Sequence, residues 1–198
     1  MRMTTVDRLD LPGGALLSCA VDVGARIREL PVSFDQRRHV GQGQRPGSWL
    51  AVALSLSGPV DLDNLVHAWL VVVARHGTLR SVFSHEPDPP GAEGERIALH
   101  GVEITGASWV EHEVAHGQRP SDVVREVLDD ACAPFARPSH RLVLAGAGTA
   151  RPSIVIGLDH AHADAWSLLV LARDLSTCLD DVAAGRAPGV GLPPAFVC

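Results

Sequence analysis

The residues best suited to chemistry lie in one short polar run, Asp159-His160-Ala161-His162-Ala163-Asp164, between an apolar segment and a helical pattern. Histidine is the side chain whose unperturbed pKa lies nearest neutrality, so His160 is a candidate general base. Asp164 stands where a helix would begin, and a helix N-terminus favours a carboxylate. From there it could steady the turn through an arginine or backbone N–H groups. The run also spells H-x-H-x-D, in which two imidazoles and a carboxylate could form half of a metallohydrolase zinc site. That reading needs further ligands, and the chain after Asp164 contains no histidine.

The elements that must hold this run can be read from periodicity. Residues 153–158 form an apolar strand before it. After it, Leu168, Leu171, Ala172, Leu175, Leu179 and Val182 recur at helical spacing to about Ala184. Ser33 and Gln36 have the spacing of a capping box, which predicts a short helix stopped by Gly41 and Gly43. Leu50, Val52, Leu54 and Leu56 alternate with small residues, a strand with one buried face. Asp61 or Asp63 can cap the helix bearing Leu62, Leu65, Trp69, Val72 and Val73, with Gly77 as its stop. Further strands are expected at 15–21, 79–84, 96–102, 109–114 and 141–144, and a helix capped by Ser121. Residues 86–95 read as an acidic surface loop. Trp69 and Trp166 read as core anchors, and His162 as a loop residue turned away from His160. This order of elements predicts an α/β fold with a mixed central sheet flanked by helices.

Composition limits the partners. The chain has 198 residues, 46% hydrophobic and 20% charged, and a net charge of −6. All 17 basic residues are arginine, and no basic stripe interleaves with aromatics, which argues against nucleic acid. The cysteines at 19, 132, 178 and 198 form no CxxC pair, and Cys132 and Cys178 fall within helical patterns as small core residues. The N-terminus lacks an apolar signal region, and no apolar run approaches the ~20 residues of a membrane span. A cytoplasmic protein without a membrane partner is expected. A chain this long can bury about 70% of its unfolded surface and form a core unaided.

Three segments, in order, resemble the condensation domains of nonribosomal peptide synthetases. Ser33-Phe-Asp-Gln36-Arg-Arg38 resembles SxAQxR, Arg75-His-Gly-Thr-Leu-Arg80-Ser-Val-Phe83 resembles RHExLRTxF, and Asp159-His160-Ala-His-Ala-Asp164-Ala165 resembles HHxxxDG. The resemblance implies a chloramphenicol-acetyltransferase-like sandwich of which this chain is the N-terminal lobe. Residues 1–30 would be an extension with a strand, 31–184 the lobe, and 185–198 the start of an inter-lobe linker. It also implies transfer of an acyl group from a carrier-protein phosphopantetheine thioester to an amine or hydroxyl. No cofactor would be bound by the chain itself. The implied partners are an acyl or peptidyl carrier protein and the second lobe, from the same gene or another chain. His160 would be the catalytic base or would stabilise the intermediate. Asp164 would hold its loop through an ion pair, with Asp159 and Ala165 completing the site architecture. Ser33, Gln36, Arg38, Arg75 and Arg80 would be structural support. Asp159, Ala165 and Gly77 depart from the family pattern, which leaves a non-catalytic docking platform as an alternative. Half a channel would leave His160 near an open face.

Overall fold

The structure, a computed structural model, describes residues 5–88 and 94–188. In chain order its elements are β1 (Ala15–Leu30), α1 (Phe34–Val40), β2 (Trp49–Ser55), α2 (Leu62–Arg75), β3 (Ser81–Pro87), β4 (Glu95–His112), α3 (Pro120–Ala131), β5 (His140–Ala147), β6 (Ser153–Asp159) and α4 (Ala165–Ala183). Part of the expected 86–95 loop and most of the expected linker lie outside the described residues.

The six strands form one sheet in the order β2-β6-β5-β1-β4-β3. All five pairings are antiparallel, more uniform than the mixed sheet expected. Alternation along β5 and β6 sends side chains to two different cores. Leu142, Leu144, Ile154, Ile156 and Leu158 meet α2 and α4 through Leu65, Trp69, Val72, Leu171 and Leu175. Val143, Ala145 and Val155 meet α3 through Val124, Leu128 and Cys132. Helices therefore cover both faces at β5 and β6, and all seven residues of β6 are buried. The result is a three-layer α/β sandwich.

Local signals explain most element ends. Ser33 Oγ accepts from the Gln36 N–H while the Gln36 side chain accepts from the Ser33 N–H, a complete capping box for α1. Asp61 caps α2 by accepting from the Asn64 N–H at 2.9 Å. That helix ends at Arg75, and Gly77 opens a 3-10 turn over Gly77–Arg80, so β3 starts later than expected. Helix α3 begins at Pro120 rather than behind a Ser121 cap, since proline lacks the N–H that the first helical position leaves unpaired.

Two strand expectations change. The short strands expected at 96–102 and 109–114 are one strand, β4, running through Thr105-Gly106. The strand expected at 15–21 runs on to Leu30, and the two long strands pair from Leu16↔His112 to Leu30↔Leu99. Register shifts between Asp22 and Arg28 absorb the irregular middle.

Gly157 records how closely α3 sits on β6. A Cβ there would lie 2.5 Å from Leu128 Cδ2 and 3.3 Å from Cys132 Sγ, both on fully buried residues. Gly157→Ala is expected to destabilise the fold by about 1–3 kcal/mol through overpacking. Chemical denaturation checks this, and an unchanged midpoint would mean that α3 can retreat freely.

Candidate active site

The loop between β6 and α4 carries His160, and all three sequence segments converge on it. Asp159 closes β6 with no exposed surface. Its Oδ1 accepts from the Ala161 N–H at 2.8 Å, and its Oδ2 from the Ser48 hydroxyl at 2.7 Å. Its backbone N–H donates to Ser139, and its carbonyl accepts from the His162 N–H. The Gln36 amide donates to the Ala161 carbonyl at 3.1 Å, and the Thr78 hydroxyl to the His162 carbonyl at 2.7 Å. The first segment thus holds one end of the loop and the second holds the other.

His160 itself is exposed. Its backbone N–H donates to the Ser48 carbonyl at 2.9 Å, and its Nδ1 lies 2.9 Å from the Ala163 carbonyl oxygen. A carbonyl oxygen only accepts, so the hydrogen bond assigns the proton to Nδ1 and leaves Nε2 as the basic nitrogen. The ring borders an open cleft of about 710 Å³ with Gln36, Arg38, His39, Arg45 and Ser48 on its walls. The far wall is tied down by Asp129, which accepts from the Gly47 N–H and the Trp49 indole N–H, each at 2.8 Å.

Asp164 plays a different part from the ion pair expected of it. Its exposed carboxylate caps α4, accepting from the Ser167 N–H and the Ser167 hydroxyl, each at 2.7 Å. Those bonds hold its pKa below the ordinary aspartate value. Among the described residues no cation pairs with it, and the carboxylate that organises the loop is Asp159. Ala165 is the first residue of α4, and no described residue other than glycine has positive φ, so alanine costs nothing there.

The other expected residues separate into support and surface. Arg75 and the neighbouring His76 both reach Asp174 on α4, at 3.1 and 2.9 Å, and Arg173 adds a third contact at 2.8 Å. Burial alone would raise the Asp174 pKa, but hydrogen bonds from Arg173 and His76 outweigh it and the net shift is downward. This cluster clamps α2 to α4. Asp174→Ala should cost about 1–3 kcal/mol, because it takes the Asp174 acceptor from the part-buried Arg75 and His76 while Arg173 turns to solvent; thermal or denaturant unfolding reads it directly. Arg80 instead borders a separate hollow of about 390 Å³ with Leu70, Val73 and Ile104. Arg38 is exposed on the wall of the main cleft. Trp69 is fully buried as expected, but Trp166 is 73% exposed at the start of α4, and Phe34 is 78% exposed at the start of α1.

Two histidines lie beneath the surface. His162 packs its ring 5.0 Å from that of Phe83, with Nδ1 3.4 Å from the Ser81 hydroxyl. His140 donates from Nε2 to the Leu79 carbonyl at 3.1 Å and meets Trp69 edge-on. Burial pushes their pKa values down, to about 4 for His162 and about 3 for His140. The three side chains of the H-x-H-x-D run therefore diverge, into the cleft, the core and the α4 cap. Among the described residues no His, Cys, Asp and Glu cluster could hold a metal ion. Nor is any described helix long and apolar enough to cross a membrane.

Sequence reading did not single out His39, whose Nε2 lies 3.4 Å from both carboxylate oxygens of Asp159. The available signal was its place three residues after Gln36, on the same helical face.

No family model matches the chain. It is 35% identical over 191 residues to the probable non-canonical nonribosomal peptide synthetase CymA of Salinispora arenicola, across 94% of this chain and 2% of that protein. Among solved structures, PapA2 acyl transferase superposes with a TM-score of 0.73 at 18% identity, over 97% of this chain and 43% of that one. The starter condensation domain of rhizomide synthetase RzmA superposes with a TM-score of 0.61 at 12% identity, over 82% of this chain and 40% of that one. At those identities the structural matches speak for the fold, and the chain spans well under half of each protein it resembles.

Proposed function

We propose, from the premise that this chain belongs to the condensation-domain family with its chloramphenicol-acetyltransferase-like sandwich, that it is the His160-bearing lobe of an acyltransferase. The donor is an acyl or aminoacyl thioester on the phosphopantetheine of a carrier protein, and the acceptor an amine or hydroxyl. The observation that carries this reading is the Nδ1-to-Ala163 hydrogen bond, which leaves Nε2 of an exposed imidazole basic beside a cleft. As the acceptor attacks the thioester carbonyl, Nε2 takes its proton. The C–S bond then breaks, and the same proton passes to the departing pantetheine thiolate. An amide or ester forms and the carrier thiol is regenerated.

The cleft's openness supports a second lobe, from the same gene or another chain, as its missing wall. Trp166, just after the loop, and Phe34, at the start of the helix whose Gln36 holds it, remain exposed for such a lobe to cover. The test combines the two lobes with an acyl-loaded carrier protein and a primary amine, and follows free carrier thiol and product mass. Stoichiometric thiol and acylated amine are expected. Carrier binding without transfer would instead support a docking platform, the reading that the Asp159 and Ala165 departures first raised.

A further inference from the structure

Asp159 needs a partner. A carboxylate with no exposed surface is costly unless its oxygens are fully hydrogen-bonded, and the Ala161 N–H and the Ser48 hydroxyl fill only part of its accepting capacity. Among the described residues the base that contacts it is His39, with Nε2 3.4 Å from each carboxylate oxygen. An Arg45 guanidinium nitrogen lies 3.4 Å from the other ring nitrogen, Nδ1. A guanidinium only donates and a carboxylate only accepts, so the ring sits with its proton on Nε2 and its lone pair toward Arg45. His39 thereby links a cation at the cleft wall to the buried anion. The same ring stands edge-on to His160, with centroids 5.7 Å apart and planes at 84°.

We infer that His39 is a positioning residue for His160, acting through Asp159. The imidazole of α1 pins the carboxylate that ties Ser48 and the Ala161 N–H to the root of the loop. Its ring limits how far the His160 ring can rotate away from Ala163. Where the family pattern has a first loop histidine, this chain has an acid in the loop and places the imidazole on a helix 120 residues earlier. This inference rests on the proposed role of His160, but its test does not require acyl transfer, so each can fail without the other.

The experiment is nitrogen-detected NMR of the ¹⁵N-histidine-labelled chain, which reads which ring nitrogen of His160 carries the proton. His160 in the parent protein should be predominantly the Nδ1–H form. His39→Leu keeps apolar bulk but loses the N–H, and should shift His160 toward the Nε2–H form that free imidazole side chains prefer. His39→Gln, which retains an N–H within reach of Asp159, should restore most of the parent signal. If His39→Leu is unfolded, His39→Leu/Asp159→Asn removes the buried charge together with its partner and should show the same shift. A folded His39→Leu or double variant with an unchanged His160 tautomer would overturn the inference.

Discussion

Replacing His160 by alanine should lower the single-turnover rate of acyl transfer about 10²–10⁴-fold, the usual contribution of a general base. Stability should stay within about 0.5 kcal/mol of the parent, because an exposed side chain away from the core is being removed. The separation of the two effects follows from the loop's construction. Asp159, Gln36 and Thr78 hold the loop through groups that do not include the His160 ring. The ring contributes one bond of its own, to the Ala163 carbonyl, and that bond serves to orient Nε2. Carrier affinity should likewise be unchanged. A variant that turns over at the parental rate would remove His160 from the chemistry. One that loses carrier binding instead would make it a docking residue.

The second large effect is on acid stability. His140 and His162 have folded pKa values near 3 and 4, well below the unfolded value near 6.5. The unfolded chain therefore binds more protons than the native one between those values, and stability must fall as pH drops through 6.5. The loss grows down to the folded pKa values and then levels off. At pH 5 it amounts to about 2 kcal/mol for each histidine, about 4 in all, a large share of a typical 5–15 kcal/mol. Carboxylates such as Asp174, whose pKa is lowered from 3.8, add their own loss only at lower pH. Urea midpoints at pH 7.5 and pH 5 measure the drop. His162→Gln should remove about half of it, and a parent protein equally stable at both pH values would contradict the buried, neutral state of both rings.

Why some of this was visible in the sequence and some was not comes down to range. The capping box at Ser33 and Gln36 is a four-residue interaction, and its spacing is enough to predict it. The helix after Asp164 declares itself through six apolar or small positions on one stripe. The polar second half of β1 gave no strand signal because it extends past the covering helices. Arg26, Arg28 and Glu29 stand exposed there, and the pairing to β4 is maintained by the backbone ladder together with Arg96 of β4, whose guanidinium donates to both carboxylate oxygens of Glu29. Trp166 misled because large aromatics normally bury their area, and nothing local marks the start of α4 as uncovered. For Asp159 and Asp164 the residues were visible and their tasks were exchanged. Which carboxylate organises the loop depends on Ser48 and His39, more than a hundred residues away in the chain.

The place of β1 in the sheet has a consequence for the order in which the protein assembles. Two pairs, β3 with β4 and β5 with β6, are hairpins between consecutive strands and can close soon after synthesis. β1 lies between them, matched to Leu142 through Cys19 on one side and to His112 through Leu16 on the other. Among the described strands β1 precedes both of its partners, meeting β4 first and β5 only later, and until both pairings form the two hairpins share no backbone ladder. Contacts so distant in sequence slow folding, and an unpaired strand in the interim is open to wrong partners. A nascent chain stalled before residue 140 should therefore leave the Ala15–Cys19 edge of β1 without its β5 partner and open to chaperone capture, and release past α4 should protect it.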